Sequence, residues 1–504
     1  MRRHNLTFLV LAMVAALIII AAGCNNTGGN GTNGTESASA DNGKVPITTS
    51  SDEAKKEYLQ GRDLAENLSL QDSLEHFDKA ISLDPSFAMA ELARANASPT
   101  AKEFFEHLKK AVALADKASD GEKLVIQAAE AGSNGDAAKQ KETLDKLVAA
   151  FPNDERAHFA LGGYYFGQQD FTKAIDEYKK ATEINDKFAP VYNILGYAYR
   201  QNGDFTNAEV AFKKYIELIP KDPNPYDSYG ELLLKMGKFD DSIAQYRKAL
   251  EIDKNFVASH SGIAAALMYQ GKYDEARAEL QKISESARSD GDRQTALFGA
   301  VVADVDSGAM DKALANVDKL YELAEKRNDS SAMSGNMGTK GTLLVAMGKY
   351  DEAKAAFEKS LKMIEDSDLS QEIKDNAKWF NHYNMATIAI GKNDMEAAKK
   401  ESEEFSKGAE ASKNPAQVRQ AHELAGMIAL AGKDYDKAIA ELEQSSLQNP
   451  RNLYRLAEAF QGKGDAAKAG EFGKKAAEFN SLPQINYALI RTKAAKMAGA
   501  AKSE

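Results

Sequence analysis

The sequence predicts an all-α chain built as a tandem stack of antiparallel helix hairpins, and three observations predict it. Leu161-Gly162-x-x-Tyr165, Leu195-Gly196-x-x-Tyr199 and Tyr229-Gly230-x-x-Leu233 recur at steps of 34 residues. Pro is scarce, 11 in 504 residues, and Ala, Leu, Lys and Glu dominate, a mix that favours uninterrupted helix. The punctuation is regular: Gly-Lys-Phe-Asp at 237–240 and Gly-Lys-Tyr-Asp at 271–274 and 348–351 read as turns. There Gly supplies a left-handed residue and Asp caps or charges the next helix start.

Each position of the unit has a physical reading. Thirty-four residues hold two helices of about a dozen residues and two short turns. Gly196 and Ala208 sit where helix A and helix B of one hairpin come closest. Tyr199 and Phe212 fill space between hairpins, and Pro85, Pro152, Pro220 and Pro450 follow helix B, where they break nothing. The same register runs on through Ala174, Tyr178, Ala264, Leu267, Ala276 and Leu280, and reappears at Gly61, Leu64, Phe77 and Ala80. It blurs between 86 and 120, although 102–116 still reads as an amphipathic helix. After 285 the turn glycines at 308, 348, 391 and 432 are spaced more widely, which predicts longer helices in a stack that continues.

These residues resemble the tetratricopeptide repeat, over residues 54 to about 482. The resemblance implies a right-handed superhelical solenoid of eleven or twelve hairpins. No hairpin buries its apolar face alone, so stability belongs to the array. The expected organisation is a leader at 1–23, a linker at 24–51, a first array at 52–290 with regular repeats from about 121, a second array with longer helices at 291–482, and a capping helix with its tail at 483–504.

The N-terminus carries a separate message. Arg2 and Arg3 precede an apolar run from Phe8 to Ala22, which is shorter than the ~20 residues a bilayer span needs and matches a signal-peptide core. The run ends in Ala21-Ala22-Gly23-Cys24, and Cys24 is the only cysteine. This resembles a bacterial lipobox, with Ala21 where the pattern prefers Leu. It implies a lipid anchor on Cys24 in the inner or outer membrane, facing the periplasm or exterior. Residues 25–51 are rich in Gly, Asn, Thr and Ser and read as a flexible leash.

Charge and motifs bound the function. Net charge is −11, and −13 once Arg2 and Arg3 leave with the leader, so phosphate backbones are repelled and nucleic acid is not an expected partner. No phosphate-binding loop, His-Glu-x-x-His or Gly-x-Ser-x-Gly is present. The seven His are scattered, with His158 and His260 at a packing position of helix A. The reading is therefore a binding scaffold with no catalysis, no cofactor and no metal, which takes proteins or peptides. The alternative is a receptor for a glycan or small solute among the aromatics Trp379, Phe380 and Tyr383, next to His382.

In the resembled family helix A lines the concave side. The residues this places inward are Arg156, Phe159, Phe166, Asn193, Tyr197, Arg200, Asp227 and Glu231, with Leu234, Ser261 and Met268 further on. Asn193, Tyr197 and Arg200 share one helix face at i, i+4 and i+7. With Arg156 they offer area and donors for a carboxylate. The Lys and Asn of the chaperone-tail clamp known in some members are replaced by Phe159, Gly163 and Ile194, so that specificity is not expected.

Overall fold

The computed structural model describes residues 43–66, 70–412 and 414–500. Cys24, the leader and the linker as far as residue 42 lie outside them. Among the described residues, twenty-four helices form twelve antiparallel pairs, each A helix followed by its B helix. The first five pairs are α1 (Asp52–Glu66) with α2 (Leu70–Leu83), α3 (Ala88–Ala97) with α4 (Ala101–Leu114), α5 (Asp120–Asn134) with α6 (Ala137–Ala150), α7 (Glu155–Gly167) with α8 (Phe171–Ile184), and α9 (Ala189–Gln201) with α10 (Phe205–Leu218). Next come α11 (Asn224–Lys235) with α12 (Phe239–Ile252), α13 (Val257–Tyr269) with α14 (Tyr273–Glu285), α15 (Asp290–Asp306) with α16 (Met310–Lys326), and α17 (Ser330–Ala346) with α18 (Tyr350–Glu365). The last pairs are α19 (Gln371–Gly391) with α20 (Met395–Ser412), α21 (Pro415–Ala431) with α22 (Tyr435–Glu443), and α23 (Pro450–Lys463) with α24 (Ala466–Ala477). Two short helices follow, α25 (Ile485–Ala488) and α26 (Arg491–Ala500). The array is all-α among the described residues, and no described helix is long and apolar enough to cross a membrane.

The chain divides into two compact units, one ending at Pro220 and the other beginning at Lys221. This division and the lengthening of helices after 285 are separate features. The first falls at a linker holding Pro220 and Pro223, and the second leaves the stacking of α14 on α15 intact.

The repeat is held by aromatics set against glycines. A Cβ on Gly196 would stand 2.8 Å from the Phe212 ring, one on Gly162 2.5 Å from Tyr178, and one on Gly341 2.5 Å from Phe357. Tyr246 is gripped from two sides, by Gly230 of its own hairpin and by Gly262 of the next, where a Cβ would lie 2.2 Å from the ring. Each aromatic is buried, so the missing Cβ is what lets the helix backbones approach.

The turns follow the expected chemistry with one correction. Gly237, Gly271 and Gly348 have φ of 72°, 77° and 74°, the left-handed region. In the turns after Gly391 and Gly432 the left-handed residues are Asn393 and Lys433 instead. Gly391 is the last residue of α19, kept small because a Cβ would meet Tyr350 at 2.4 Å. The two roles expected of the aspartates fall on different turns. Asp170, Asp204, Asp434 and Asp465 cap α8, α10, α22 and α24, whereas Asp240, Asp274 and Asp351 of the Gly-Lys-aromatic-Asp turns lie in the first helical turn and charge the helix start without capping it. The blurred stretch resolves into α3 and α4, with Thr100 capping α4.

Candidate functional site

In the unit that ends at Pro220, the expected inward face is partly surface and partly core. Tyr197 stands edge-on to Phe212, ring centroids 5.1 Å apart, and the Arg200 guanidinium lies 4.7 Å over the Tyr197 ring. Asn193 is almost buried beside them, and among the described residues its Oδ1 has no hydrogen-bond partner. These three residues of α9 form one patch, as their i, i+4, i+7 spacing requires. Phe166 is half-buried, edge-on to Phe171. Phe159 is fully enclosed between Tyr178 and Phe188 and presents no surface to a partner. Arg156 is also withdrawn: it pairs with Glu66 at 3.2 Å and Glu155 at 2.9 Å and stacks on Phe188. Sequence position placed both on helix A, but helix A also faces its own hairpin partner and the next repeat.

Residues 43–51, expected as the end of a flexible leash, are instead fixed along the N-terminal ends of α3, α5 and α7. The backbone N–H groups of Val45, Thr48 and Ser50 donate to Asp154, Glu122 and Asp84, each at 2.8 Å. Thr49 Oγ1 adds a bond to Asp84 at 2.6 Å, and Lys44 pairs with Glu155 at 2.6 Å. Val45 is buried against Gly121. Burial pushes the Asp84 carboxyl up, but the bonds from Ser86, Thr49 and Ser50 outweigh it and hold the group well below the usual range. An extended backbone is thus read by one carboxylate from each of three successive repeats.

The unit that begins at Lys221 holds a segment of its own chain in a similar way. Residues 479–491 cross the C-terminal ends of α11, α13 and α15. Lys235 Nζ donates to the Phe479 carbonyl at 2.5 Å and sits over the Phe479 ring, and Tyr269 donates to the Ser481 carbonyl. Arg491 pairs with Asp306 at 2.5 Å and donates to the Tyr273 hydroxyl at 2.9 Å. Leu482, Ile485 and Leu489 pack on the apolar cluster that contains Leu234, Met268 and Val301. The single capping helix expected over 484–497 is therefore two, broken at Leu489 and Ile490 so that α25 reaches α15 while α26 covers α24.

Asp227 and Glu231 lie on α11 in this second unit. Glu231 is half-buried. Asp227 is buried and accepts a bond from Ser259 Oγ at 2.7 Å. Burial pushes its carboxyl up to about 7, with the Ser259 bond opposing and the Glu231 charge adding. A carboxyl whose folded value lies above its unfolded ~3.9 keeps its proton in the fold, so its contribution to stability is full below pH ~4 and is lost as pH rises through about 7. Asp227→Asn is expected to flatten the fall in stability across that window, by up to about 1.4 kcal/mol per pH unit. Denaturant midpoints of the two proteins from pH 4 to 8 check this, and parallel profiles would refute it.

A recurrent pair escaped the reading of the sequence. Every described histidine touches a glutamate on the other helix of its hairpin: His76–Glu57, His107–Glu91, His158–Glu177, His260–Glu279, His382–Glu401 and His422–Glu441, at 2.5 to 2.8 Å. In four hairpins the glutamate stands 19 residues after the histidine, the spacing that would have signalled them. These pairs clip helix A to helix B. Burial pushes His260 down, but the bonds to Glu279 and to the Lys254 carbonyl raise it overall.

The aromatic patch near Trp379 is mainly hairpin packing. The Trp379 ring covers Gly408, where a Cβ would meet it at 2.4 Å, and Phe380 stacks on Tyr383 with centroids 5.4 Å apart. The chemistry of this region lies beside it, at Glu423 of α21. This buried carboxylate accepts from Arg455 Nη1 at 2.6 Å, Tyr383 Oη at 3.0 Å and Asn449 Nδ2 at 3.3 Å. Among the described residues, no group of three or more His, Cys, Asp or Glu side chains is arranged to hold a metal ion.

Three family models, each described as tetratricopeptide repeat, match residues 127–190, 189–222 with 336–367, and 233–301. No curated protein matches the chain. Among solved structures it is similar to a tetratricopeptide repeat protein from Parabacteroides merdae, at 18% identity over 52% of this chain and 98% of that one, with a TM-score of 0.37. A thermophilic TPR protein of Thermus thermophilus is 22% identical over 43% of this chain and 99% of its own, TM-score 0.29. The MamA protein is 23% identical over 34% of this chain and 96% of its own, TM-score 0.29.

Proposed function

Since this chain belongs to the tetratricopeptide-repeat proteins, we propose that it is a non-enzymatic scaffold that binds partner polypeptides and is tethered to the bacterial envelope through a lipid on Cys24. The observation that carries the reading is that each unit already holds polypeptide: backbone amides of 45–50 on a ladder of carboxylates in one, residues 479–491 across three helix ends in the other. A surface that recognises main chain as well as side chains takes peptide segments as its natural ligands.

The patch we assign to a partner is Asn193, Tyr197 and Arg200. It combines a flat apolar ring, a guanidinium and a carbonyl oxygen nearly removed from water, the composition of an interface anchor. A carboxylate on the partner contacts the Arg200 guanidinium, so affinity falls with added salt, because such contacts are screened over ~8–10 Å at ordinary ionic strength. Replacing Tyr197 and Arg200 together by Ala is expected to weaken binding by ~2 kcal/mol or more with helical content unchanged. The test is a pull-down from detergent-solubilised native membranes, followed by titration of the recovered partner against wild type and double mutant. Equal affinities would move the site off α9.

The tether rests on the small-residue ending Ala21-Ala22-Gly23 before the lone Cys24, after an apolar run too short to span. Two or more acyl chains hold a protein firmly where one does not. Cys24→Ser is expected to abolish metabolic labelling by palmitate and to leave the protein soluble or as uncleaved precursor. A serine variant that stays in the membrane at its mature size would exclude the lipid anchor.

A further inference from the structure

Arg451 is a cation with nothing to pair with. It lies in the first turn of α23, partly buried yet reached by solvent, and among the described residues no carboxylate stands within ion-pair distance and no acceptor meets its guanidinium. The one carboxylate nearby, Glu423, is already taken by Arg455, Tyr383 and Asn449. Arg455, one turn further along α23, adds a second positive charge of the same sign. A helix N-terminus disfavours cations as well. Burial, and next the charge of Arg455, pull the Arg451 guanidinium down to about 10. Burial and the Arg455 charge together outweigh the opposing attraction of Tyr383 and Glu423, so the charged side chain is disfavoured where it stands and a polar uncharged residue would suit the fold better. A residue that costs stability where it stands is what a binding site requires.

We propose that Arg451 is the receptor for a carboxylate carried by a partner polypeptide, with Glu423 holding Arg455 and Tyr383 in place beside it. This rests on the scaffold reading and names the chemistry of one of its contacts. The planar fork of the guanidinium fits a carboxylate with two parallel N–H···O bonds. The neighbouring pair is saturated, so the incoming group neutralises Arg451 and leaves the Arg455–Glu423 bond alone. Arg451 stands on α23 and the Tyr197–Arg200 patch on α9, so the two contacts are made by different repeats and are tested by separate variants.

The experiment uses the full mature chain and three short probes at constant ionic strength: acetyl-triglutamate amide, which has side-chain carboxylates only; acetyl-trialanine free acid, which has a terminal carboxylate only; and acetyl-triglutamine amide, which has neither. Inorganic phosphate is the control for a general anion effect. The readouts are binding by calorimetry and protection of Arg451 from phenylglyoxal, located by mass spectrometry. At least one carboxylate probe is expected to bind and protect, and which one does tells a side-chain from a terminal carboxylate. Arg451→Gln should weaken that probe at least about tenfold, the effect of losing a charge-assisted contact, and should raise the unfolding midpoint of the free protein. Arg451→Lys, which keeps charge but loses the fork, should fall between. The proposal is overturned if the triglutamine amide or phosphate protects as well as the acids, if no probe protects, or if Arg451→Gln binds like wild type. It is also overturned if Arg451→Gln destabilises the free protein, for then the side chain is structural. None of these outcomes touches the scaffold reading, which the membrane pull-down tests separately.

Discussion

Phe212→Ala is expected to destabilise the array by ~3–5 kcal/mol, the usual cost of emptying a buried aromatic site. Phe212 is fully enclosed, its ring lies on Gly196 of the paired helix and stands perpendicular to Tyr197. Gly196 has no side chain with which to fill the gap, and two helices held by further contacts along their length cannot close it. The neighbouring Lys213→Ala is the control. Lys213 is exposed and pairs with Glu209 four residues back, so its loss is expected to stay within about ±0.5 kcal/mol. Denaturant midpoints of the two variants against wild type decide the matter, and equal small shifts would mean that the hairpin register is misassigned. Since neighbouring repeats stabilise one another, the loss at Phe212 should broaden the transition as well as lower it.

Glu423→Ala is expected to cost ~3–5 kcal/mol, because it removes one member of a buried pair and leaves the other charged and uncompensated. Arg455 loses its 2.6 Å partner, Tyr383 and Asn449 lose their acceptor, and Arg451 stands near the freed guanidinium. Glu423→Gln keeps an acceptor oxygen and should cost less. Acid should imitate the mutation. Burial pushes the Glu423 carboxyl up, but the Arg455 charge and bond overcome it, so the folded value lies below the ordinary one. The contribution is then full above the unfolded ~4.3 and is lost as pH falls through the folded value. Unfolding midpoints of wild type and Glu423→Gln should therefore converge below pH 4. A constant gap down to pH 2 would show that the charge of Glu423 is not what stabilises the pair.

The two carboxylates titrate in opposite senses for one reason. Both are buried. Asp227 has a hydroxyl and a like charge beside it and Glu423 has a guanidinium, so burial dominates the first and the counter-charge dominates the second. Asp227 and His260, whose value is also raised, act in one direction: each contributes more stability to its unit in mild acid than in mild alkali.

Local chemistry by itself determined most of the fold. Periodicity, small residues at closest approach and glycine turns are short-range signals that depend on the neighbours in the chain, and they sufficed for the hairpins and for the small residue at Gly196; Phe212, expected between hairpins, packs on Gly196 of its own hairpin instead. The face shared by Asn193, Tyr197 and Arg200 followed from helical geometry in the same way. Only the tertiary structure decided what each surface faces. Phe159 and Arg156 stand on the same helix as open positions, yet Phe188 of the next hairpin and Glu66 of a distant one enclose them. Residues 43–51 read as loose coil because they carry few apolar side chains; they are ordered by backbone amides meeting Asp84, Glu122 and Asp154, contacts over 34 to 109 residues that no local pattern encodes. The fixing of 479–491 by Lys235, Tyr269 and Asp306 is of the same kind. Whether a charge is paired or left over, as with Arg455 and Arg451, depends on a partner brought in by packing, which composition and spacing along the chain do not contain.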